Sequence, residues 1–549
     1  MRKVLLIATL ATIAGAWILS ADWASSSGNP QRDGWQRSED KLSRATAAAG
    51  GIKLLYSYKV DPKAQRMGTP ILLGNIIGWK GFKALLFVGG NSDIYSIDFW
   101  TGKPYFKTHF DYAADKPQLT ASTSTCPGGI TAAAVINGGS GGRGPMAAGG
   151  AGATGGRGAS GRGGAPGGGG GGRGGGGGAN VWAVGADGKL QTLREQDGDN
   201  KATAPVTFLP PNARASDLNI SNNVVYAGTQ YECGGNPNAL YAIDLSTPEK
   251  TVVSLLTNGS GFAGSGGVAI STDGSTVYGL IPDGQGSVAG KYSNTVVALD
   301  PKALTVKDYF TPSGTAPAVK KGAEVPGATP AVFPWNGKDV IVTGGTDGRI
   351  YLLDSTSLGG SDHHTPLAQS EVFASTDGIN GIWNAFATWD DGPQPQPAGR
   401  GGPPGAAPAV APPPPPPGTR WIYASISGPP KLKFPITNDA APTGSIVAFK
   451  VEDRGGKPAL VPVWSSRDMT SPAAPAITNG LVFALSTGQG KTTKNAVLYA
   501  LDTSTGKEIW SSGTTATSYA TGGLAIDASI VLFATHDSQI HAYGIPILF

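Results

Sequence analysis

The sequence predicts an all-β protein, an eight-bladed β-propeller, and three observations support this prediction. A segment made of a turn, an alternating apolar strand and, in most copies, an Asp with a second turn occurs eight times. The copies recur about every 50 residues once two insertions are removed, the size of a four-stranded antiparallel blade with its loops. The 549 residues include 84 Gly and 42 Pro but only 15% charged residues, which is typical of turn-dense β proteins. Seven blades are the alternative, because the second copy is degenerate.

The strands of each unit follow from the period-two alternation of apolar residues. In the fifth unit, residues 329–335, 339–345 and 349–354 are the expected inner, second and third strands. The eighth unit ends after three strands. We therefore expect residues 52–60 to supply its outer strand, because this closes the ring and removes an exposed sheet edge. The third strands are aligned on one apolar position in each copy: Ile94, Leu190, Leu240, Val296, Ile350, Ile446, Leu498 and Ile540.

The N-terminus has the three-part layout of a secretory signal. Arg2 and Lys3 precede an apolar stretch over residues 4–19, and small residues follow. We expect residues 1–21 to be a signal peptide, cleaved after Ala21, and residues 22–549 to form a single exported domain, periplasmic or extracellular, with no membrane span. An uncleaved anchor is the alternative; the apolar stretch is short for a span.

Two low-complexity insertions interrupt the repeat, at residues 137–179 and 392–418. Both fall between the first and second strands of a blade, and we expect both to be disordered. The first carries four Arg and no acid, which accounts for the whole net charge of +4. The rest of the chain is therefore neutral, which argues against a nucleic-acid partner. The second insertion is proline-rich and predicts a polyproline II spur.

The run Gly490-Lys491-Thr492 looks like the end of a phosphate-binding P-loop. A P-loop needs Gly five residues before Gly490, where this chain has Leu485, and a helix after the Lys. Here an alternating strand of the seventh repeat follows, so the sequence predicts a hairpin turn and excludes nucleotide binding. Lys491 and Lys494 are candidate ligand contacts on the rim of the propeller.

The segment LYALDTSTGKEIW at residues 498–510 resembles the repeat of pyrroloquinoline-quinone (PQQ) type propellers, whose outer strand ends in a docking Trp. The stretch DWASSSGNPQRDGWQRSEDKLS, which begins at Asp22, looks like the opening of the same superfamily. Only the seventh unit keeps the docking motif fully; the first has Phe106 in place of the Trp. Quinoprotein dehydrogenases and non-catalytic scaffolds share this repeat, so the resemblance implies the fold and leaves the function open.

In the dehydrogenases of this superfamily the quinone lies over the central channel, with adjacent cysteines, a calcium or lanthanide site and a base Asp. The two cysteines here, Cys126 and Cys233, are not adjacent, and no block resembles the metal-binding segments or a cytochrome. We therefore expect a binding or protein-assembly scaffold without a recognisable catalytic set. The alternative is an atypical PQQ-dependent dehydrogenase that oxidises an alcohol or a sugar with PQQ and calcium. A polysaccharide-processing propeller is a third reading, without a distinctive carboxylate pair to support it.

The two cysteines are expected to form a disulfide. Cys126 lies in the loop that enters the second blade, and Cys233 lies between the second and third strands of the third blade. These two loop types open on the same face of neighbouring blades, and export provides oxidising conditions. Two buried free thiols are the alternative.

Three residues of the sixth unit, Trp383, Asn384 and Asp390, are weak candidates for a ligand site on the channel wall, and aromatic filling of a blade interface is the favoured alternative. His363 and His364 are candidate metal ligands, but adjacent side chains on an extended chain point apart, so we expect a solvated loop and no metal site. Residues 427–444, residues 281–294 and the opening stretch are expected to form a rim around the channel. A protein or small-molecule ligand is expected there.

Overall fold

The structure, a computed structural model, describes most of the chain. The described residues are 22–39, 41–61, 67–78, 81–111, 126, 129–130, 132, 134–137, 180–257, 259, 261–283, 294–313, 325–393, 418–489 and 494–546. The predicted signal peptide, Lys491 and nearly all of both insertions lie outside these residues, so those predictions stay predictions.

The described strands form eight antiparallel sheets arranged in a ring, an eight-bladed β-propeller. Blade 1 contains Asp22–Trp23, Ile71–Gly78, Gly81–Gly89, Asp93–Asp98 and Pro104–His109. Blade 2 contains Val135–Asn137, Asn180–Val184, Lys189–Arg194 and Val206–Thr207. Blade 3 contains Arg214–Ala215, Asn219–Ser221, Val224–Gln230, Ala239–Asp244 and Val252–Leu256. Blade 4 contains Val268–Ile270, Val277–Ile281, Thr295–Leu299 and Val306–Phe310. The degenerate second copy thus builds a complete blade, which removes the seven-bladed alternative.

The second half of the ring repeats this order from the inner to the outer strand. Blade 5 contains Ala331–Trp335, Lys338–Gly344, Ile350–Asp354 and Ala368–Gln369. Blade 6 contains Gly381–Asp390, Arg420–Ser427, Gly444–Arg454 and Lys457–Ser465, with Ile436–Thr437 added in parallel to its outer strand. Blade 7 contains Ala476–Thr478, Leu481–Ser486, Val497–Asp502 and Glu508–Ser511. Blade 8 contains Ala525–Asp527, Ile530–Ala534, Gln539–Gly544 and Lys53–Lys59.

The ring closes where the sequence predicts. Lys53–Lys59 pairs antiparallel with Gln539–Gly544, from Lys53 opposite Gly544 to Lys59 opposite Gln539. The described helical segments are short: the α-helix Arg44–Ala48 and the 3-10 turns Cys233–Gly235 and Gly360–Asp362. After Asp22–Trp23, the chain therefore provides the outer strand of the last blade before it builds the four main strands of the first.

Neighbouring blades are locked by an aromatic side chain of one outer strand packed on a turn glycine of the next blade. The ring of Trp464 covers Gly506, where an added Cβ would lie 2.4 Å from Trp464 Cε3, and Trp464 Nε1 donates to the Thr503 carbonyl at 2.8 Å. Tyr56 covers Gly102 in the same way, with 2.6 Å from the added Cβ to its Cδ2. The glycines at these turns have left-handed φ values of 69° and 68°, which L-residues rarely adopt.

The two docking aromatics predicted from sequence behave similarly. Phe106 packs on Gly198 of blade 2, and Trp510 meets Tyr543 of blade 8 edge to face with 5.5 Å between ring centroids. Trp464, which the motif did not identify, is fully buried at the next interface back along the ring. Blade 6 lacks the Asp-x-x-Thr-Gly turn of the docking motif. The only sequence feature that pointed to Trp464 was an aromatic residue at the end of an alternating strand.

Candidate functional site

The two faces of the propeller are built by different connections. We call one side the loop face. It carries the loops that lead into each inner strand, such as residues 372–380, and the loops that join the second strand to the third, such as residues 428–443. We call turn face the opposite side, with the turns at residues 336–337 and 455–456. The central channel runs between the faces and is lined by the inner strands.

The channel is occupied by the chain's own residues 22–39, which we call the channel segment. It begins at the loop-face end of blade 1, where Trp23 pairs with Leu72, and ends at the turn face of blade 8, where Glu39 accepts a hydrogen bond from Ser529 Oγ at 3.1 Å. Its backbone carbonyls accept hydrogen bonds from the inner strands of blades 4 to 7: Pro30 from Ile270, Gln31 from Val332, Asp33 from Thr388 and Gly34 from Ile477. The opening stretch thus crosses the channel, which corrects the expectation that it forms part of the rim.

Arg32 fastens this segment from inside the channel. Its side chain is fully buried, and its guanidinium donates to the Ser26 carbonyl at 2.6 Å and to Ser26 Oγ at 2.7 Å. It also donates to the carbonyls of Leu218 in blade 3 and Gly266 in blade 4, each at 3.0 Å. Burial lowers the pKa of Arg32 to about 10, while the nearby Asp217 acts to raise it. The group therefore stays cationic at neutral pH, and carbonyl dipoles replace its lost hydration.

Asn384 forms hydrogen bonds to the blades on either side of its own. Its Nδ2 donates to the Pro472 carbonyl at 2.8 Å, and its backbone carbonyl accepts from the Thr329 amide at 2.8 Å. The residue has a left-handed φ of 66°, in a strand interrupted by a bulge between Trp383 and Ala387. These contacts tie blade 6 to blades 5 and 7, and they occupy the amide that the sequence offered to a ligand.

The three channel-wall candidates do not come together. Trp383 is half-buried near the loop-face end of Gly381–Asp390, and Asp390 ends that strand at the turn face. Seven residues of strand separate the two by roughly 20 Å. Asp390 lies 3.4 Å from the Arg420 guanidinium, far from Asn384. The structure therefore does not bring the three residues together, and a ligand contact at any one of them stays a prediction.

The predicted disulfide is present. Cys126 and Cys233 are bonded with their Cα atoms 5.5 Å apart, and they link the entry of blade 2 to the 3-10 turn of blade 3. The bond closes a loop across 107 positions of the sequence. Topology identified this pair correctly because both loops lie on one face.

The two histidines have separate contacts. His363 stacks on Tyr309 with 4.0 Å between ring centroids, and its Nδ1 lies 3.1 Å from Asp308 Oδ1. The exposed His364 instead places its Nδ1 2.8 Å from the Thr311 carbonyl. Among the described residues, no group of three His, Cys, Asp or Glu side chains could hold a metal ion.

The residues on either side of the run that looked like a P-loop are paired with each other, while residues 490–493 lie outside the described part of the chain. Gln489 and Lys494 exchange backbone hydrogen bonds of 2.9 and 3.3 Å, and the strand Val497–Asp502 follows. Lys494 lies on the loop face, with its Nζ 3.3 Å from Thr470 Oγ1. The described residues thus place a strand after this run, where a P-loop would need a helix.

The loop face presents one apolar side chain on a rigid turn. Ile379 is 75% exposed, the highest value among the large hydrophobic residues of the described chain. Asp377 fixes this turn by accepting from the Ile379 amide at 2.9 Å and from the Asn380 amide at 2.6 Å. Burial acts to raise the pKa of Asp377, but these bonds and one from the Asn380 side chain lower it to about 2. The turn also contacts Gly428, where an added Cβ would lie 3.0 Å from Asn380 Cβ.

Two observations describe the loop-face mouth of the channel. The Asn384 amide is bound to Pro472, and the disulfide joins two blades instead of two adjacent cysteines. No helix in the described part of the chain is long and apolar enough to cross a membrane.

Comparison with known proteins places the chain by its fold. No family model and no curated protein matches it. It is similar to the quinohemoprotein alcohol dehydrogenase of Pseudomonas putida HK5 (TM-score 0.55, 14% identity, 96% of this chain and 81% of that one). A europium-containing methanol dehydrogenase (0.54, 10%, 95% and 98%) and the quinohemoprotein alcohol dehydrogenase of Comamonas testosteroni (0.51, 12%, 97% and 82%) are also similar. At these identities the similarity shows a PQQ-type propeller fold.

Proposed function

We propose that this protein is an exported propeller that acts as a binding scaffold and takes a partner protein on its loop face. The observation that carries the proposal is Ile379, an apolar side chain held 75% exposed on a turn with fixed hydrogen bonds. Exposed apolar groups on a preorganised loop lose little entropy when they bind, which is typical of interface anchors. The predicted signal and the cross-blade disulfide support export.

A protein suits this face better than a small molecule. Ile379 projects from a loop, and Ile436, 37% exposed, lies on the neighbouring loop of the same blade. Small ligands are bound in concave sites, whereas projecting apolar side chains insert into a partner's pockets. The channel below is filled by residues 22–39, which leaves the loops as the exposed surface of this side.

Site-specific photo-crosslinking tests the partner surface. A photoreactive amino acid at Ile379 should give a single discrete adduct with the exported proteins of the source cell. The same group at Lys507, exposed on the turn face, should not give it. Ile436→Asp should weaken the adduct formed from position 379. Equal adducts from both positions, or an adduct indifferent to Ile436→Asp, would refute binding at the loop face.

A second measurement addresses the alternative, an atypical PQQ-dependent dehydrogenase of an alcohol or a sugar. The purified full chain is titrated with PQQ and Ca²⁺, and quinone absorbance and dye reduction with ethanol or glucose are recorded. The scaffold proposal expects no stoichiometric binding and no substrate-driven reduction. A stoichiometric quinone spectrum with dye reduction would overturn it.

A further inference from the structure

The turn face carries an open cavity of about 740 Å³ between blades 5 and 6. The hairpin turn of blade 5 contributes Trp335 and Asn336, and blade 6 contributes residues from three of its strands. These blade 6 residues include Asp390, Arg420, Glu452 and Asp453. Ligand sites in proteins typically have volumes of roughly 300–1,000 Å³, so the cavity is large enough for a small ligand.

Arg420 lies on the floor of this cavity, and two of its nitrogen donors have no hydrogen-bond partner among the described residues. Its side chain is only 7% exposed, and its Nη2 makes two long contacts, 3.4 Å to Asp390 and 3.5 Å to the Pro334 carbonyl. Its Nε and Nη1 have no hydrogen-bond partner among the described residues. The guanidinium stacks at 5.0 Å from the centroid of Phe333. A buried guanidinium with unused donors is costly, and an acceptor that reached them from the cavity would offset part of that cost.

The rim of the cavity accepts hydrogen bonds. Glu452 and Asp453 are exposed carboxylates, paired with Arg454 at 3.2 Å and with Asn336 Nδ2 at 3.2 Å. With Asp390 they give three carboxylates against the guanidinium groups of Arg420 and Arg454, a net negative charge that disfavours an anionic ligand. A ligand here needs groups that donate to the rim and accept from the floor.

Trp335 adds an apolar surface to this polar site. Its ring is half-buried, held on one side by the core between blades 5 and 6, and it lines the cavity. Sugar hydroxyls both donate and accept, and the C–H face of a pyranose packs on an indole. We propose that this cavity binds a neutral oligosaccharide, with a sugar ring on Trp335 and hydroxyls hydrogen-bonded to Arg420 and the rim carboxylates. The site is separate from the loop face, so it stands or falls independently of the partner-protein proposal.

The test uses the full chain with cello-, malto- and chito-oligosaccharides as probes, followed by calorimetry and tryptophan fluorescence. We expect at least one series to bind, and Trp335→Ala to weaken that binding about tenfold, equivalent to about 1.4 kcal/mol. Glu452→Gln, on an exposed residue, should weaken it several-fold with the fold intact. Lys507→Ala, on the turn face of blade 7, is the matched control and should leave the affinity unchanged.

The proposal fails on three results. The first is that none of the three oligosaccharide series binds at concentrations up to about 10 mM, which would reveal even a site with a Kd near 1 mM. Another is binding that is unchanged in both Trp335→Ala and Glu452→Gln. The third is competition by inorganic phosphate, which would indicate an anion site at Arg420 instead.

Discussion

Gly506→Ala provides a direct test of how neighbouring blades are locked. Gly506 has a φ of 69°, and an added Cβ would lie 2.4 Å from Cε3 of the fully buried Trp464. Gly455 is a matched control, because its φ is 66° but no atom lies within 4 Å of an added Cβ. The two substitutions share the backbone penalty and differ only in the clash with the ring.

The structure sets the size of both effects. An L-residue in the left-handed region costs about 1–2 kcal/mol, which is the whole expected loss for Gly455→Ala. The clash at Gly506 adds an overpacking cost of about 1–3 kcal/mol, because Trp464 is fixed by its hydrogen bond to Thr503 and cannot move away freely. We therefore expect Gly506→Ala to lose about 2–5 kcal/mol in total.

Urea unfolding followed by tryptophan fluorescence measures the difference between the two variants. A double-mutant cycle with Trp464→Leu should show coupling with Gly506→Ala, since the smaller side chain makes room for the methyl group. Equal losses for Gly506→Ala and Gly455→Ala, with no coupling, would refute the idea that the ring and the glycine define this interface.

Three further predictions address the disulfide, the channel and an ion pair between blades. Replacing Cys126 and Cys233 by Ala should lower the free energy of unfolding by about 4–5 kcal/mol on the chain-entropy model, measured by urea unfolding against the oxidised parent; an unchanged midpoint would contradict this. Arg32→Met should cost about 3 kcal/mol or more, because several buried carbonyls lose their donor at about 1–3 kcal/mol each, and a thermal shift equivalent to under about 1 kcal/mol would refute its role as a fastener. The pKa of the Asp244 carboxyl is lowered to about 2 by the Lys302 ammonium at 2.7 Å and by the hydroxyl and amide of Ser246. The stabilising charge of Asp244 is therefore present above its ordinary pKa and is lost as the pH falls toward 2. Lys302→Ala should raise this pKa in an NMR titration, and an unmoved titration would exclude the pair as a cause.

The sequence predicted the fold because the repeat is carried by local patterns. Alternation alone located the fifth-unit strands to within two residues, for example 349–354 against the observed Ile350–Asp354. Counting strands in the last unit predicted the closing strand, observed as Lys53–Lys59. The strand positions and the closing strand both follow from which side chains face a neighbouring blade, and the alternation of apolar residues shows this directly in the sequence.

The channel segment was not predictable in the same way. Its residues attach to the inner strands mainly through backbone carbonyls, which carry no sequence signature. Arg32 looks like an ordinary polar residue in a glycine-containing turn, although its acceptors at Leu218 and Gly266 are more than 180 positions away. Trp383 and Asp390 lie apart for a related reason, since residues of one long strand share a wall but lie at opposite ends of it.

The filled channel has a consequence for where new binding can arise in this fold. Arg32 is a buried charge held by main-chain carbonyls from two blades and from its own segment, so a substitution there disturbs several parts of the ring at once. Ile379 and Trp335 lie on connections at opposite faces, each held by local contacts that do not involve the channel segment. A change at the exposed Ile379 therefore leaves the interior packing intact, whereas a change at Trp335 also removes contacts with the core between blades 5 and 6. The proposed partner-protein surface and the proposed sugar site therefore lie on opposite faces of the propeller, and each can be tested by substitutions that leave the other unchanged.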